Sequence, residues 1–161
     1  PQRYIPYNIL DNTKPPAEIA QGGFDAICLS GVLEHVPDFS AMLERLKPLL
    51  SPWGRLFIFR FPNRHSWIEK INDLRRGNTT DHPVRFTLRE LHFMLRWHGF
   101  RVDGCGYEEI FPVNMLGLPR PIARTYHAFH PLVMATSRVL CSIPIVNKAS
   151  TSFWFAVSKP S

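Results

Sequence analysis

Acidic residues are missing from the last third of this chain. Residues 111 to 161 hold Arg120, Arg124, Arg138, Lys148 and Lys159 and no Asp or Glu, so they carry +5 of the net +6. Residues 1 to 110 hold 14 basic and 13 acidic residues, a balance of +1. A segment of one sign points to an anionic partner, or else to a solvated basic face. Cysteine is scarce as well. Cys28, Cys105 and Cys141 have neither metal-ligand nor redox spacing. Their odd number leads us to expect reduced thiols in a cytoplasm-like compartment. No apolar run is long enough to span a bilayer. Internal repeats and low-complexity tracts are lacking too. Pro1 stands where a methionine would open a chain, so we expect that the chain was trimmed or cut from something longer.

What is present is a globular composition. Hydrophobic residues make up 45% of the 161 positions, which suits a single domain with a core rather than a disordered chain. The 15 prolines are about twice the usual share of roughly 5%, so many segment ends are expected.

The segment "RYIPYNILD" (3–11) reads as a short strand, and "FDAICLS" (24–30) as a strand buried on both faces. "DFSAMLERLKPLL" (38–50) has helical apolar spacing, with Asp38 as N-cap and Pro48 near its end. "SPWG" turns the chain into a strand over 55–61. A helix is expected over 67–76, where Ser66 and Glu69 have capping-box spacing and Gly77 follows. Thr87 and Glu90 form a second capping box, Phe86 and Leu91 a staple, and Gly99 a stop. Strands over 100–107 and 152–159 complete the pattern. His92 and His98, on the second capped helix, read as surface or interface residues.

Strands alternating with helices indicate a parallel α/β sheet, in which ligands bind at the carboxyl ends of the strands. Ser30-Gly31 falls at such an end. Gly31 either leaves room for a ligand or merely serves a tight turn.

"FDAICLSGVLEHVPDFSAMLERLKPLLSPWGRLFIFRFPN" resembles the central part of class I S-adenosylmethionine-dependent methyltransferases. The shared features are Phe24-Asp25 opening a strand, the Val32-Leu33-Glu34-His35-Val36 segment, the helix after it, and the Ser51-Pro52-Trp53-Gly54 turn. "HPVRFTLRELHFMLRWHGFRV" (82–102) is similar to the family's later helix. The resemblance implies a Rossmann-like sheet holding the family's third to seventh strands, incomplete in its N-terminal half. The family's glycine-rich cofactor loop is not found, and Trp53 replaces a usual glycine. The 161-residue chain is therefore expected to bind cofactor weakly and to be inactive alone. The last strand should run antiparallel within the sheet.

By position, the resemblance assigns cofactor contacts to Asp11, Asn12, Leu29, Ser30, Gly31 and Val32, with S-adenosylmethionine as cofactor. An Asp suits the donor amino group of adenine, or it caps a turn. Glu34 and His35 are the catalytic candidates, His35 as the base. They serve otherwise to fix the helix entry. Some relatives bind a divalent metal through E-x-x-E-H and a later His. Glu34, His35 and His82 match in part, but Gly31 replaces the first acid, so no metal is expected. His65 has no supporting signal.

The "D/N-P-P-Y/F" strand end of many base methyltransferases is lacking, and no specific nucleic-acid partner is expected. Residues 111–151 form an apolar, basic insertion between the last two strands. They are expected to make helices over the strand ends, as a lid or as packing on the sheet. Such a cover suits a small-molecule, lipid-like or anionic acceptor, or peripheral membrane contact. The main reading is a methyltransferase acting on a small-molecule, lipid or glycan-precursor acceptor. The alternative is a non-catalytic interaction domain on the same fold. A nucleotide-dependent oxidoreductase lacks support.

Overall fold

The computed structural model describes residues 7–10, 16–76, 84–112 and 119–160. The elements run α1 (Ala17–Ala20), β1 (Phe24–Ser30), α2 (Phe39–Leu46), β2 (Leu50–Pro62), α3 (Trp67–Arg76), α4 (Leu88–Trp97), β3 (Arg101–Glu108), α5 (Arg120–Ala128), α6 (His130–Cys141) and β4 (Ser152–Ser158). The four strands form one sheet in the order β1-β2-β4-β3. β1 pairs parallel with β2, and β4 runs antiparallel to both β2 and β3. The chain therefore returns at its end to fill the gap between β2 and β3, as the resemblance implies for its last strand.

Local signals set the helix ends. Asp38 accepts a hydrogen bond from Ala41 N at 2.8 Å and starts α2. Pro48 falls in the 3-10 turn Lys47–Leu49 that closes it, where a missing N–H costs least. Ser66 Oγ accepts from Glu69 N at 3.4 Å at the start of α3. Thr87 and Glu90 make the full reciprocal capping box of α4.

α2 and α4 bury their apolar faces with the sheet in one core. Leu43, Leu46, Leu91 and Leu95 belong to the same buried cluster as Leu56, Ile58, Phe153, Phe155 and Val157. Aromatic rings knit it at one end. Phe61 stacks with Phe86 at 5.8 Å and with Phe153 at 5.6 Å, and Phe39 meets Phe86 edge-on at 5.6 Å. Each fully buried side chain of this size contributes about 1.5–3 kcal/mol.

Three expectations need correction. β1 is not buried on both faces: only Leu29 is buried, while Ala26, Cys28 and Ser30 are exposed. Its one sheet neighbour among the described residues is β2. Residues 7–10 make a turn rather than a strand, and the rest of that expected strand, with Asp11, lies outside the described residues. "SPWG" is not a turn before the strand but a part of β2, where the register with β1 shifts between Phe24↔Leu50 and Ala26↔Arg55. Gly54 sits in that irregularity. A Cβ there would lie 2.4 Å from Phe24 O, closer than any side chain can approach.

Gly54→Ala should therefore cost about 1–3 kcal/mol in urea unfolding of the full-length protein. Trp53→Ala, at an exposed neighbour, should stay within about 0.5 kcal/mol of the parent. Equal effects of the two would contradict this account of the irregularity.

Candidate functional site

The carboxyl ends of β1 and β2 lie side by side, since Ser30 pairs with Phe59. Gly31 N donates to Phe59 O at 3.2 Å, which fixes the first peptide beyond β1. Gly31 has φ +62, in the left-handed region that favours glycine. A Cβ at this position would meet Glu34 Oε1 at an ordinary 3.5 Å. The glycine is thus required by the turn itself, not by crowding within the chain. Leu29 is buried beneath the turn, whereas Ser30 and Val32 are exposed at the strand end.

Leu33–His35 form a single 3-10 turn. That turn sends Glu34 inward and His35 outward. Glu34 is 3% exposed, and its Oε1 lies 3.9 Å from His35 Nε2. His35 keeps about half of its side chain in solvent. The two catalytic candidates therefore stand together beside the expected cofactor segment Leu29–Val32. Asp11 and Asn12 lie outside the described residues, as does His82. Among the described residues no group of three or more His, Cys, Asp or Glu side chains converges on a metal position.

His98 differs from expectation. His98 is tucked against the chain's own α2, with Nδ1 2.9 Å from Glu44 Oε1 and Nε2 3.1 Å from Ser40 Oγ. His92 tilts onto Phe155 at 6.5 Å. His98 thus packs within the fold, while His92 stays partly exposed. The cleft lined by His92, Arg96, Phe100 and Arg101 opens at the start of β3. It lies at the opposite edge of the sheet from Gly31.

Sequence reading missed the groups that complete the carboxyl edge. Asn63 follows β2 and is almost fully buried. Its Nδ2 donates to Lys148 O and Ser150 O, both at 2.9 Å, and its Oδ1 accepts from His65 N at 3.0 Å. At the end of β3, Glu108 Oε2 accepts from Arg60 N at 2.7 Å. Glu109 Oε1 lies 4.0 Å from the Arg60 guanidinium. Arg60 and Glu109 both have positive φ, at 58° and 41°. Burial pushes the carboxyls of Glu108 and Glu109 above their ordinary value, against the pull of Arg60. The Glu-Glu pair closing a strand was visible in the sequence, but its partner Arg60 stands 48 positions away from Glu108.

Two further side chains close this edge, Ser137 from α6 and Trp67 from α3. Ser137, buried on α6, accepts through Oγ from Ile110 N at 2.6 Å and Phe111 N at 3.3 Å. Trp67 Nε1 donates to Ile110 O at 2.7 Å.

A sheet whose last strand lies antiparallel between two strands of the opposite direction, with a Gly31-type turn at the carboxyl edge, defines a Rossmann-like α/β domain of the class I methyltransferase kind. The chain belongs to the methyltransferase domain family, whose model matches residues 4–103. No match is found among curated proteins. Solved structures share the fold. One titled a pericyclic reaction enzyme has 15% identity and a TM-score of 0.53, over 97% of this chain and 30% of that one. A methyltransferase from Thermotoga maritima, titled a possible histamine N-methyltransferase, has 13% identity and a TM-score of 0.52, over 86% and 57%. A putative methyltransferase in complex with the Haloferax volcanii Trm112 activator has 14% identity and a TM-score of 0.50, over 86% and 55%. The chain spans 30% to 63% of the length of the first structures it matches.

Two measurements test this edge. Asn63→Ala removes the donor from one buried and one part-buried carbonyl and should destabilise the protein by about 1–3 kcal/mol in urea. A carboxyl raised in the folded state binds its proton more tightly there than in the unfolded chain. The stability it contributes is full below the ordinary 4.5 and is lost as pH rises through the folded value. The double variant Glu108→Gln/Glu109→Gln should therefore show a shallower loss of stability as pH rises above 4.5. An unchanged slope would remove the pair from this role.

Proposed function

We propose that this chain forms the catalytic core of an S-adenosylmethionine-dependent methyltransferase. One observation carries the reading. In a chain of this family, the Gly31 turn and its exposed neighbours Ser30 and Val32 stand at the carboxyl end of β1. Those residues fit the cofactor, because their backbone is fixed from below by Leu29 and Phe59 and open above. Leu29–Val32 would hold it along their backbone, with Asp11 and Asn12 as the further assigned contacts.

When bound, the cofactor supplies an electrophilic methyl on a sulfonium, so most of the protein's work is positioning and exclusion of water. His35 is exposed at the edge and is the base for a hydroxyl or ammonium acceptor. Glu34 lies buried beneath it, with Oε1 3.9 Å from His35 Nε2, and helps to orient the ring. The acceptor class we favour is a small molecule, lipid or glycan precursor. We read the chain as one domain, with 111–151 as a lid inserted between β3 and β4. The seating of Ser137 against Ile110 and Phe111 supports that reading. Three free cysteines support a reducing, cytoplasmic setting.

Calorimetry of the full-length protein with S-adenosylmethionine tests the proposal. Saturable binding is expected, weakened about tenfold or more by Gly31→Val, because a β-branched residue resists positive φ. His35→Ala should leave that binding intact and lower the rate of methyl transfer by about 10²–10⁴-fold. Absence of binding would favour a non-catalytic interaction domain on the same fold.

A further inference from the structure

α6 is apolar on both sides, although among the described residues only one side is covered. Its inner side is seated through Ser137, with Val133, Met134, Leu140 and Cys141 partly covered. Its outer side carries Leu132, Ala135 and Val139, with Ile143 just beyond, at spacings of three, four and four residues. On the helix that spacing aligns Leu132, Ala135 and Val139 in one stripe, and Ile143 follows in the turn beyond its end. Leu132 is 66% exposed, Val139 64% and Ile143 43%. Phe129 at one end is 58% exposed, and Ile145 at the other 79%. Ile145 is held at φ 82, a conformation that a β-branched residue adopts only at a cost. On α5, Ile122 is 52% exposed.

Every charge on the segment that carries this stripe, from residue 111 onward, is positive. Arg120, Arg124, Arg138 and Lys148 are all exposed. No ion pair among the described residues involves any of them. The whole segment from 111 onward has no acid to neutralise them. Among the described residues no helix is long and apolar enough to cross a membrane. α6 has 12 residues, about 18 Å, which suits lying in an interface rather than spanning it.

We propose that the outer face of α5 and α6 docks on the surface of an anionic lipid bilayer. The apolar stripe enters the boundary between headgroups and acyl chains, while the arginines meet lipid phosphates. Charge selects this occupant. A second copy seated on the same face would bring two acid-free, cationic segments together, which repel. A nucleic acid would satisfy the arginines but leave Leu132 and Val139 in water.

Vesicle co-sedimentation of the full-length protein decides it, using phosphatidylcholine vesicles with and without added phosphatidylglycerol. Pelleting should require the anionic lipid and fall as salt is raised. Arg120→Ala/Arg124→Ala/Arg138→Ala should weaken it about tenfold or more. Leu132→Asp/Val139→Asp should abolish it while leaving the thermal midpoint near that of the parent, since both side chains are exposed. Should that variant fail to fold, Val139→Trp supplies the second reading: its fluorescence should shift to the blue on anionic vesicles. Equal pelleting with neutral and anionic vesicles would overturn the proposal. So would anionic binding that Leu132→Asp/Val139→Asp leaves intact, or a dimer that the same variant dissolves in a protein that ignores vesicles.

Discussion

The carboxyl edge of the sheet depends on the side chain of Asn63. Three backbone groups from two distant stretches of chain meet there: the carbonyls of Lys148 and Ser150, and the N–H of His65. The Asn63 amide itself is 1% exposed, and a buried amide left without partners costs several kcal/mol. Asn63 spares the chain that cost while deciding two directions at once. It turns the end of β2 towards α3, and it brings the last loop to the point where β4 must begin. Thr151 then donates from N to Glu109 O at 2.7 Å, which ties the end of β3 to the same place. The antiparallel entry of β4 between β2 and β3 follows from these bonds.

Elements whose cause is local were legible in the sequence. Asp38 and the Thr87–Glu90 box act within one helical turn, and the structure uses them as read. The four described strands were legible as well: β1, the later part of β2 and β4 are apolar runs, and β3 follows the Gly99 stop of a capped helix. Features whose cause is a remote partner were not. The burial of β1 depends on what lies beside it in the sheet, so "FDAICLS" reads as interior while most of it is exposed. The irregularity at Gly54 depends on the approach of Phe24 O across the sheet. His98 is drawn to Glu44, 54 positions away. At the site, the adjacency of Glu34 and His35 was readable, but their division into buried and exposed partners follows from the 3-10 turn. Arg60, Glu108 and Asn63 gave no local signal of their meeting.

Electrostatically the carboxyl edge has two unlike parts. Beside β3, Glu108 and Glu109 are half-buried and restrained by Arg60, and burial favours their protonated forms. A few residues later the chain turns wholly basic and stays so to its end. The acids lie where the fold can satisfy them by backbone N–H and guanidinium groups, as Arg60 N does for Glu108. The bases on α5, α6 and the loop before β4 are exposed and make no ion pair among the described residues, whereas Lys159 donates to Leu50 O.

The inner seat of α6 is sufficient to hold it. Ser137 binds two consecutive backbone N–H groups at the end of β3, and Tyr126 on α5 donates to Pro112 O. Those bonds fix the helices from within, and none of them uses a residue of the outer stripe. If folding were the only demand, polar residues at 132, 139 and 145 would serve α6 equally well and would lower the exposed apolar surface. The strain at Ile145 makes the same point from the backbone: a glycine or asparagine would accept φ 82 at less cost. The sequence of the outer face is therefore not dictated by the stability of the domain. Its apolar stripe and one-signed charge require a cause outside the chain.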